Sequence, residues 1–340
     1  MTGSPSVTIV STVHWEGDPR LNRHQTYLRS SGHEVVLVTH RDVGRALALA
    51  RALLDIARSR SRVVILPDPE LYFLGSLTAR LTGSRPVVDI HEDYPRAAMA
   101  RSWVPAWARG PVRLLAAGAV SLGRAAAWRV MVAAPELARP GDTLVLNVPD
   151  PATLEPLPHD GSHRLVYIGD VTVARGALTM VEALGHLDES FRLQLVGRVG
   201  PATRDQIEAT ASRLGVSSRL EILGQLEHGA AWALAQGALV GLSLLTAVPA
   251  YMEAVATKLW EYMAIGLPVI VTDLPGQARV VSRVDPELVC ATPAAVADMA
   301  RKLSADQALR ASLGEESRRH AEEKWEASRP DRAIQSVMEP

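Results

Sequence analysis

Residues 250–273 read Ala-Tyr-Met-Glu-Ala-Val-Ala-Thr-Lys-Leu-Trp-Glu-Tyr-Met-Ala-Ile-Gly-Leu-Pro-Val-Ile-Val-Thr-Asp, and this stretch decides the fold class. Thr257 is a candidate N-cap for a short apolar helix over residues 258–264, and Gly266 is a typical helix stop. Residues 269–271 have the composition of a buried parallel strand. A loop, a helix and a strand in this order indicate an α/β domain.

The start of this short helix is a predicted anion site. The first turn of a helix leaves backbone N–H groups unpaired and carries a partial positive charge. The backbone of Thr257, Lys258 and Leu259 is therefore suited to a phosphate, with the Lys258 ammonium beside it. Two carboxylates flank the site, Glu253 in the preceding loop and Glu261 one turn into the helix.

The environment of Glu261 admits two interpretations. A carboxylate in so apolar a helix needs polar partners to offset its desolvation, and sugar hydroxyls would supply them. Alternatively, Lys258 and Glu261 form a surface pair at i and i+3, and Glu253 is a solvated loop residue. The spacing alone leaves both interpretations open.

The pattern Glu253-x4-Lys258-x2-Glu261-Tyr-Met-Ala-x-Gly-x-Pro-Val-Ile resembles the donor-binding signature of the retaining GT-B glycosyltransferases of the GT4 family, the glycosyl transferases group 1. The resemblance implies an α/β protein with two Rossmann-like, doubly wound domains that face each other across a cleft. It also implies that a nucleotide-sugar binds in this cleft.

The resemblance predicts the domain organisation of the chain. We expect an N-terminal acceptor-binding domain over residues 1–150 and a C-terminal nucleotide-sugar-binding domain over residues 151–325. A C-terminal helix within residues 326–340 is expected to return to the N-terminal domain. Residues 149–162 are rich in proline and glycine and are the predicted linker.

The composition is that of a globular protein. The chain has 340 residues, of which 47% are hydrophobic, and a formal net charge of -1, and this length is sufficient for two domains with separate cores. A single cysteine, Cys290, excludes a disulfide within the chain and a cysteine-based zinc site. The first residues lack the basic and apolar regions of a signal peptide. We therefore expect a cytoplasmic protein.

The two halves of the chain differ in charge. Residues 1–150 contain 18 Lys and Arg against 13 Asp and Glu, a net of +5, and residues 151–340 contain 18 against 24, a net of -6. A basic N-terminal half suggests an anionic acceptor or peripheral contact with an anionic membrane on the cytoplasmic face. The alternative is a random division of charge in an arginine-rich chain. No nucleic-acid partner is expected.

The first strand and its loop argue against a dinucleotide enzyme. Residues 7–11 form an apolar strand pattern, but the loop that follows lacks Gly-x-Gly-x-x-Gly, which nicotinamide and flavin enzymes need for close backbone approach. In the resembling family this loop approaches the transferred sugar and the phosphates, which implies a donor contact at Gly17. Asp18 and Arg20 resemble an Asp-x-Arg of one subgroup, although Asp18 is equally suited to capping the next helix.

A second strand edge carries a predicted catalytic histidine. Residues 86–90 form a buried strand pattern, and His91 and Glu92 follow it directly. The segment resembles the Asp-x-His-Glu of the family, whose histidine lies near the sugar and the diphosphate, and we therefore assign His91 to the site. An isolated histidine at such a position is otherwise a core or loop residue.

Residues 101–134 interleave tryptophan and arginine in an apolar background. The segment contains Trp103, Trp107 and Trp128 among several arginines, including Arg101. A basic amphipathic helix of this kind can lie on a membrane interface. It can equally face the core while its arginines extend their charged ends to water.

The second domain offers further donor contacts. Arg175-Gly176 resembles the basic-Gly step that contacts the diphosphate in the family, whereas Asp170 stands where the family usually has a further basic residue. Two phosphate cations, Arg175 and Lys258, are therefore expected. Arg198 and Leu226 follow predicted strands and are candidates for contacts with the base.

The resemblance implies a retaining transferase that moves a sugar from a nucleoside-diphosphate sugar to a hydroxyl of a glycan, lipid-linked or natural-product acceptor. A UDP-sugar is favoured and GDP-mannose is next. Glu253 is expected to orient the transferred sugar and Glu261 to hold the ribose. No Asp-x-Asp is present, so neither a metal nor another cofactor is expected. The Ala, Arg and Val bias suggests a bacterial source.

Three alternatives are considered, and one of them, a dinucleotide oxidoreductase, is disfavoured by the missing glycine pattern. A nucleotide-sugar epimerase or a sugar phosphorylase would have the same fold, and a catalytically degenerate member would act as a partner subunit. Asp170 and the short N-terminal half are the reasons to consider the last of these.

Overall fold

A computed structural model describes residues 6–100 and 104–339, so the predicted features at Arg101 and Trp103 lie outside the described residues. The chain divides into an N-terminal unit, Met1–Asn147 with Ser328–Pro340, and a C-terminal unit, Val148–Ala327. The sequence pattern predicts boundaries after residues 150 and 325. Within the described residues, no helix has the length and apolarity that crossing a bilayer requires.

The N-terminal unit is built on a parallel sheet. In the described residues it has six strands, which occur in the order β2-β1-β3-β4-β5-β6. These strands are β1 (Val7–Ser11), β2 (Val35–Thr39), β3 (Val63–Leu66), β4 (Arg85–Ile90), β5 (Arg129–Val132) and β6 (Thr143–Leu144). The side chains of β1 and β3 are buried throughout, as expected of central strands covered on both faces.

Helices cover both faces of this sheet. They are α1 (Pro19–Ser30), α2 (Arg45–Arg58), α3 (Pro69–Leu81), α4 (Tyr94–Ala100) and α5 (Arg109–Ala126). The chain moves from β1 to β2 through α1 and then reverses direction along the sheet. Right-handed crossovers therefore place α2, α3 and α5 together on the face opposite α1. In agreement with this, α3 packs between α2 and α5.

The C-terminal unit has the same architecture. Its parallel sheet has the order β11-β10-β7-β8-β9 in the described residues. The strands are β7 (His163–Ile168), β8 (Phe191–Val196), β9 (Leu220–Gly224), β10 (Val240–Ser243) and β11 (Val269–Val271). The helices are α6 (Ala177–Gly185), α7 (Pro201–Arg213), α8 (His228–Ala235), α9 (Thr257–Ala264), α10 (Pro275–Val281), α11 (Pro293–Ala305) and α12 (Gln307–Ser328).

The residues predicted to form the returning helix are divided between two helices, and the second of them packs on the N-terminal unit. Helix α12 ends at Ser328, and α13 (Pro330–Met338) packs on α1, β5 and β6. The break falls at Arg329, whose φ of 34° is left-handed. Pro330 explains the break, because a proline disfavours the helical conformation for the residue before it.

Helix α9 is the predicted apolar helix, but it begins one residue earlier than expected. Thr257 is its first residue, and Ala256 is the N-cap with an extended conformation and no side-chain cap hydrogen bond. The prediction of Thr257 as N-cap is therefore wrong. Helix phase here follows tertiary packing, since the Tyr262 hydroxyl accepts the Ile168 backbone N–H at 2.8 Å and so fixes α9 against β7.

Gly176 is a position where a side chain cannot be accommodated. Its φ is 84°, and a Cβ atom there would lie 1.9 Å from the carbonyl oxygen of Leu244. Gly215 has a similar φ of 71°, but a Cβ atom there would meet nothing within 4 Å. The two glycines therefore share the left-handed conformation and differ in the steric constraint.

Gly176→Ala should lower the free energy of unfolding by about 3 kcal/mol or more, because the backbone of Leu244 must move. Gly215→Ala, the matched control, should lower it by about 1 kcal/mol through the left-handed conformation alone. Urea unfolding of both variants measures the difference. Equal losses would contradict the steric assignment.

Candidate functional site

The carboxyl ends of β7 and β10 meet the start of α9 in the C-terminal unit. Gly169, which directly follows β7, has a φ of 134°, and a Cβ atom there would lie 2.7 Å from Lys258 Nζ. The backbone N–H of Thr246, just after β10, donates to the carbonyl of Ala174 at 3.0 Å. These close approaches bring the loop before α6, the end of β7 and the start of α9 to one edge of the sheet, where ligands of doubly wound folds bind.

Lys258 occupies the centre of this edge as a buried ammonium. The residue is 8% exposed, and its Nζ lies 3.6 Å from the centroid of the Tyr167 ring. The described residues offer this Nζ no hydrogen-bond partner. Burial, together with the nearby guanidinium of Arg175, holds the pKa of Lys258 well below its usual value. An anion at this edge would supply the missing partner.

Arg175 adds a second cation to the edge, and Arg198 adds a third. Burial lowers the pKa of Arg175, but Tyr167 and Tyr251 outweigh this effect and raise it. Arg198 lies against Asp170, with Nη2 3.2 Å from Oδ1, and both side chains are exposed. Arg198 is predicted as a base contact, and in the structure it forms an ion pair with Asp170. Asp170 is the residue that stands where the family usually has a basic one.

Glu261 is buried at the same edge and has a neighbour that the sequence analysis missed. Its Oε1 lies 3.1 Å from Nε2 of His228, the first residue of α8. Trp232 Nε1 is 3.1 Å from the same ring nitrogen. The i,i+3 surface pair with Lys258 is excluded as an account of Glu261, because both residues are buried. Leu226 is half-buried two residues before α8.

Glu253 is exposed and lies in the loop before α9. Its Oε2 is 3.2 Å from Nη2 of Arg279 in α10. The backbone at Glu253 is held tightly, because a Cβ atom on Gly276 would lie 2.4 Å from the Glu253 carbonyl carbon. The Gly276 N–H also donates to the Met252 carbonyl at 2.8 Å. The main chain is thus fixed while the carboxylate is accessible.

The backbone at the start of α9 is only partly available to an anion. The Leu259 N–H donates to the Ala256 carbonyl at 3.0 Å, and the Leu259 side chain is fully buried. Thr257 is half-buried. Of the three residues predicted to form the anion site, Lys258 is therefore the one whose side chain adds a full charge.

The N-terminal unit has its own cluster of charged groups at the carboxyl ends of β1, β3 and β4. His14 lies between two carboxylates, with Nδ1 2.9 Å from Asp18 and Nε2 3.2 Å from Asp68. Burial lowers the pKa of His14, but hydrogen bonds to Asp18 and Asp68 outweigh burial and raise it to about 10. His14 is therefore an imidazolium at neutral pH.

His91 contacts this imidazolium directly. Its Nε2 is 3.2 Å from Nε2 of His14, and its Nδ1 is 3.7 Å from Asp89. His14 Nε2 lies 3.2 Å from both Asp68 Oδ1 and His91 Nε2, so the two rings and this carboxylate form one contact group. His91 Nδ1 is buried and has no hydrogen-bond partner among the described residues.

A buried ion pair supports the segment that carries His91. Arg20 Nε and Nη2 donate to the two oxygens of the fully buried Asp89 at 2.9 and 2.5 Å, and His24 Nε2 lies 3.0 Å from the same carboxylate. Burial would raise the pKa of Asp89, but Arg20 and His24 outweigh it and hold that pKa well below its usual range. Arg20 is thus a structural residue that fixes α1 to β4.

The first loop is shaped by Asp18 and by a tight contact at Gly17. Asp18 caps α1 by accepting from the N–H groups of Arg20 and Leu21, as the capping alternative predicts, and it also pairs with His14. A Cβ atom on Gly17 would lie 2.3 Å from the indole of Trp15. A side chain at this position would therefore require the Trp15 indole to move.

The structure thus forms two clusters, one in each unit. Lys258, Glu261 and Arg175 come together in the C-terminal unit, whereas Gly17 and His91 belong to the N-terminal unit. His228 and His14 are the functional candidates that the sequence did not reveal. Within residues 6–100 and 104–339, no group of three His, Cys, Asp or Glu side chains is arranged to hold a metal.

Comparison with known proteins finds a family match within the C-terminal unit. Residues 155–320 match the sequence model of the family described as Glycosyl transferases group 1. The C-terminal unit carries a glycosyl transferases group 1 domain. The matched range includes Arg175, Lys258 and Glu261.

Curated relatives match half of the chain. It is 29% identical over 177 residues to the lipopolysaccharide glucosyltransferase WaaG of Escherichia coli (strain K12), covering 51% of this chain and 46% of that protein. It is 31% identical over 185 residues to the D-inositol 3-phosphate glycosyltransferase of Xylanimonas cellulosilytica, covering 51% of this chain and 42% of that protein. The chain spans less than half the length of either relative.

Solved structures share the fold over nearly the whole chain. The HepE protein of Anabaena in complex with UDP-glucose has a TM-score of 0.73 at 13% identity, covering 98% of both chains. The sucrose-phosphate synthase of Thermosynechococcus elongatus has a TM-score of 0.71 at 19% identity, covering 98% of this chain and 97% of that one. The predicted GT-B fold with two Rossmann-like domains is confirmed.

Lys258→Met should stabilise the protein by about 1–3 kcal/mol at pH 7, because it replaces a buried ammonium that lacks a hydrogen-bond partner by an apolar chain of similar length. The pKa of Lys258 is lowered in the folded state, so the unfolded chain binds the proton more tightly. The stability of the original protein should therefore rise with pH up to about 10.4, and the gain from the substitution should shrink.

Urea unfolding at pH 7 and pH 10 measures both effects. Lys302→Met is the matched control, because Lys302 is an exposed lysine that pairs with Glu287. This control should bring no gain in stability. A Lys258→Met variant less stable than the original at both pH values would refute the assignment of an uncompensated buried charge.

Proposed function

We propose that this chain is a retaining glycosyltransferase that moves a sugar from a nucleoside-diphosphate sugar to a hydroxyl of an acceptor. One observation carries the proposal. The buried Lys258 ammonium lies at the start of α9 without a hydrogen-bond partner among the described residues, and the guanidinium of Arg175 lies nearby. Two cations at the carboxyl edge of a doubly wound sheet suit a diphosphate.

In this proposal the cations stabilise the departing diphosphate. Arg175 and Lys258 contact its oxygens, and each well-placed donor contributes about 3 kcal/mol to the transition state. Arg198 brings a third cation to the same sheet edge, although its pairing with Asp170 partly neutralises it. The proposal requires no metal, because side chains supply the positive charge that a divalent ion would otherwise provide.

The carboxylates are proposed to hold the two sugar rings. Glu261 accepts hydrogen bonds from the ribose hydroxyls, and the His228 ring lies beside its carboxylate. The half-buried Leu226, two residues before α8, is proposed to contact the base. Glu253, whose main chain is fixed, binds hydroxyls of the transferred sugar.

Transfer is proposed to occur with retention of the anomeric configuration. The bond between the anomeric carbon and the diphosphate oxygen breaks, and the acceptor oxygen bonds to the same face of the sugar. The acceptor proton passes to the departing phosphate oxygen. His91 and the Gly17 loop are the contributions we propose from the N-terminal unit, with the ring of His91 oriented by the His14 imidazolium.

A UDP-sugar is our favoured donor, with GDP-mannose as the second candidate. The HepE structures contain UDP and UDP-glucose, which supports uridine. The acceptor is proposed to be a hydroxyl of a glycan, lipid-linked or natural-product molecule in a bacterial cytoplasm. A transferase releases the nucleoside diphosphate only when an acceptor is present. An epimerase or a phosphorylase would not show this dependence on the acceptor.

UDP should stabilise the protein more than GDP, ADP or dTDP at equal concentration. A ligand at 100 times its dissociation constant stabilises by about 2.7 kcal/mol, which a thermal-shift panel of the four nucleotides detects. A larger shift with GDP would move the donor to GDP-mannose. No shift with any of the four would overturn the proposed nucleotide site.

Glu261→Ala should weaken UDP binding by about tenfold, because the ribose hydroxyls lose a charged acceptor. Glu253→Gln should leave UDP binding unchanged and reduce sugar transfer by about a hundredfold or more, since its contacts form with the transferred sugar. Calorimetric titration with UDP and acceptor-dependent release of UDP measure the two effects.

Glu287→Gln is the matched control for Glu253→Gln, because Glu287 is likewise an exposed carboxylate paired with a basic residue, Lys302. It should change neither binding nor transfer. If the Glu261 and Glu253 variants both bind UDP as the original protein does and both transfer normally, the assigned roles are wrong.

A further inference from the structure

Helix α5 is an apolar helix with little of its surface buried. It contains no acidic residue and is rich in Ala, Leu, Val and Gly, yet only Val120 and Gly123 are fully buried among its described residues. Leu114 and Leu115 are each 74% exposed. A surface helix normally turns its large apolar residues toward the core. Here they face outward.

The neighbouring helices show the same pattern. Trp107, in the turn before α5, is 82% exposed, and Leu81 at the end of α3 is 79% exposed. Leu77 precedes Leu81 by four residues and is also exposed, so α3 carries an outward apolar stripe. Large exposed apolar areas on a protein surface mark interaction sites.

The stripes on α3 and α5 belong to one surface. A Cβ atom on Gly123 would lie 2.3 Å from the Cβ of Tyr72, so the two helices pack closely. Arg80 of α3 also donates to the backbone carbonyls of Ala126 and Ala127 at the end of α5. Helix α2 belongs to the same layer of helices, because right-handed crossovers place it on this face of the sheet and α3 packs between α2 and α5.

Helix α2 adds positive charge to this layer. Leu47, Arg51, Leu54 and Arg58 are all exposed and follow one another at helical spacing, so they share one face of α2. We define the outer face as the outward surface of this three-helix layer. Its marker residues are Arg51, Leu54, Leu77, Leu81, Leu115 and Leu122.

The acidic residues of the three helices do not neutralise the outer face. The single acid of α2, Asp55, lies 2.7 Å from His40 Nε2. The single acid of α3, Glu70, accepts a hydrogen bond from Thr12 Oγ1 at 2.9 Å. The outer face is therefore apolar and basic.

We propose that the outer face docks on the surface of an anionic lipid bilayer. Leucine and tryptophan side chains of α3 and α5 enter the interfacial region of the bilayer, and Arg51 and Arg58 contact lipid phosphates. A second copy of the chain is the poorer occupant. A two-fold contact of the outer face with itself would bring arginines of both copies together without intervening acids.

This inference is independent of the proposed function, because it concerns residues of the N-terminal unit that have no part in the nucleotide site. Flotation of the full chain with vesicles tests it without any nucleotide. The protein should bind vesicles of equal parts phosphatidylglycerol and phosphatidylcholine and should not bind phosphatidylcholine alone. Raising the salt concentration should weaken the binding.

Two double variants separate the apolar and electrostatic contributions. Leu115→Ser with Leu122→Ser, and Arg51→Glu with Arg58→Glu, should each raise the lipid concentration for half-binding by about tenfold or more. The matched control is Leu223→Ser with Arg213→Glu, which changes an exposed leucine and an exposed arginine of the C-terminal unit and should bind as the original does.

Circular dichroism and urea unfolding verify that each variant is folded, as expected for exposed positions. Binding that is absent, or that survives both double variants, would overturn the proposal. So would a dimer in light scattering that Leu115→Ser with Leu122→Ser dissociates while vesicles are not bound, because the outer face would then be an interface between copies.

Discussion

A lysine ammonium buried on a tyrosine ring, with no hydrogen-bond partner among the described residues, destabilises the fold that contains it. The surrounding structure holds it there. Gly169 leaves room for Nζ, and Tyr262 fixes α9 against β7 so that Lys258 cannot withdraw. The chain thus maintains a preorganised cation at a sheet edge. Such an arrangement is useful when charge appears there during a reaction, because no reorganisation is then needed.

The sequence predicts the helix and the strand at this edge well because their signals are local. Residues 257–271 contain the helix start, the lysine, the buried carboxylate, the glycine stop and the strand within one βα-type unit, and β11 spans the predicted residues Val269–Val271. The N-cap was missed by one residue because burial of the helix sets its phase. His228 escaped detection because its contact with Glu261 joins residues 33 positions apart, and no local spacing encodes it.

The same reasoning explains what the sequence did not show in the N-terminal unit. His91 follows β4 and is visible as a strand-end histidine, but its contact partner His14 lies 77 positions earlier in the chain. His14 in turn depends on Asp68 after β3. Parallel strands bring their carboxyl ends together whatever their separation along the chain. Arg20 shows the opposite case. Its position resembles a functional motif, but in the structure its side chain forms a buried ion pair with Asp89.

The structure shows where the excess basic residues of the N-terminal half lie. The first 150 residues carry a net charge of +5, by 18 basic against 13 acidic residues, which composition alone cannot assign to any surface. In the N-terminal unit, several acids lie at the carboxyl edge of the sheet, where Asp18 and Asp68 bracket His14 and Asp89 holds Arg20. The acids are thus partly consumed inside the unit, while arginines of α2 and α5 remain on the outside. The carboxylates gather at the sheet edge around histidine and arginine. The remaining surface of the unit is therefore richer in basic residues than in acidic ones. Helices α2, α3 and α5, which lie opposite α1, carry only Asp55 and Glu70 as acids and therefore expose part of the net positive charge.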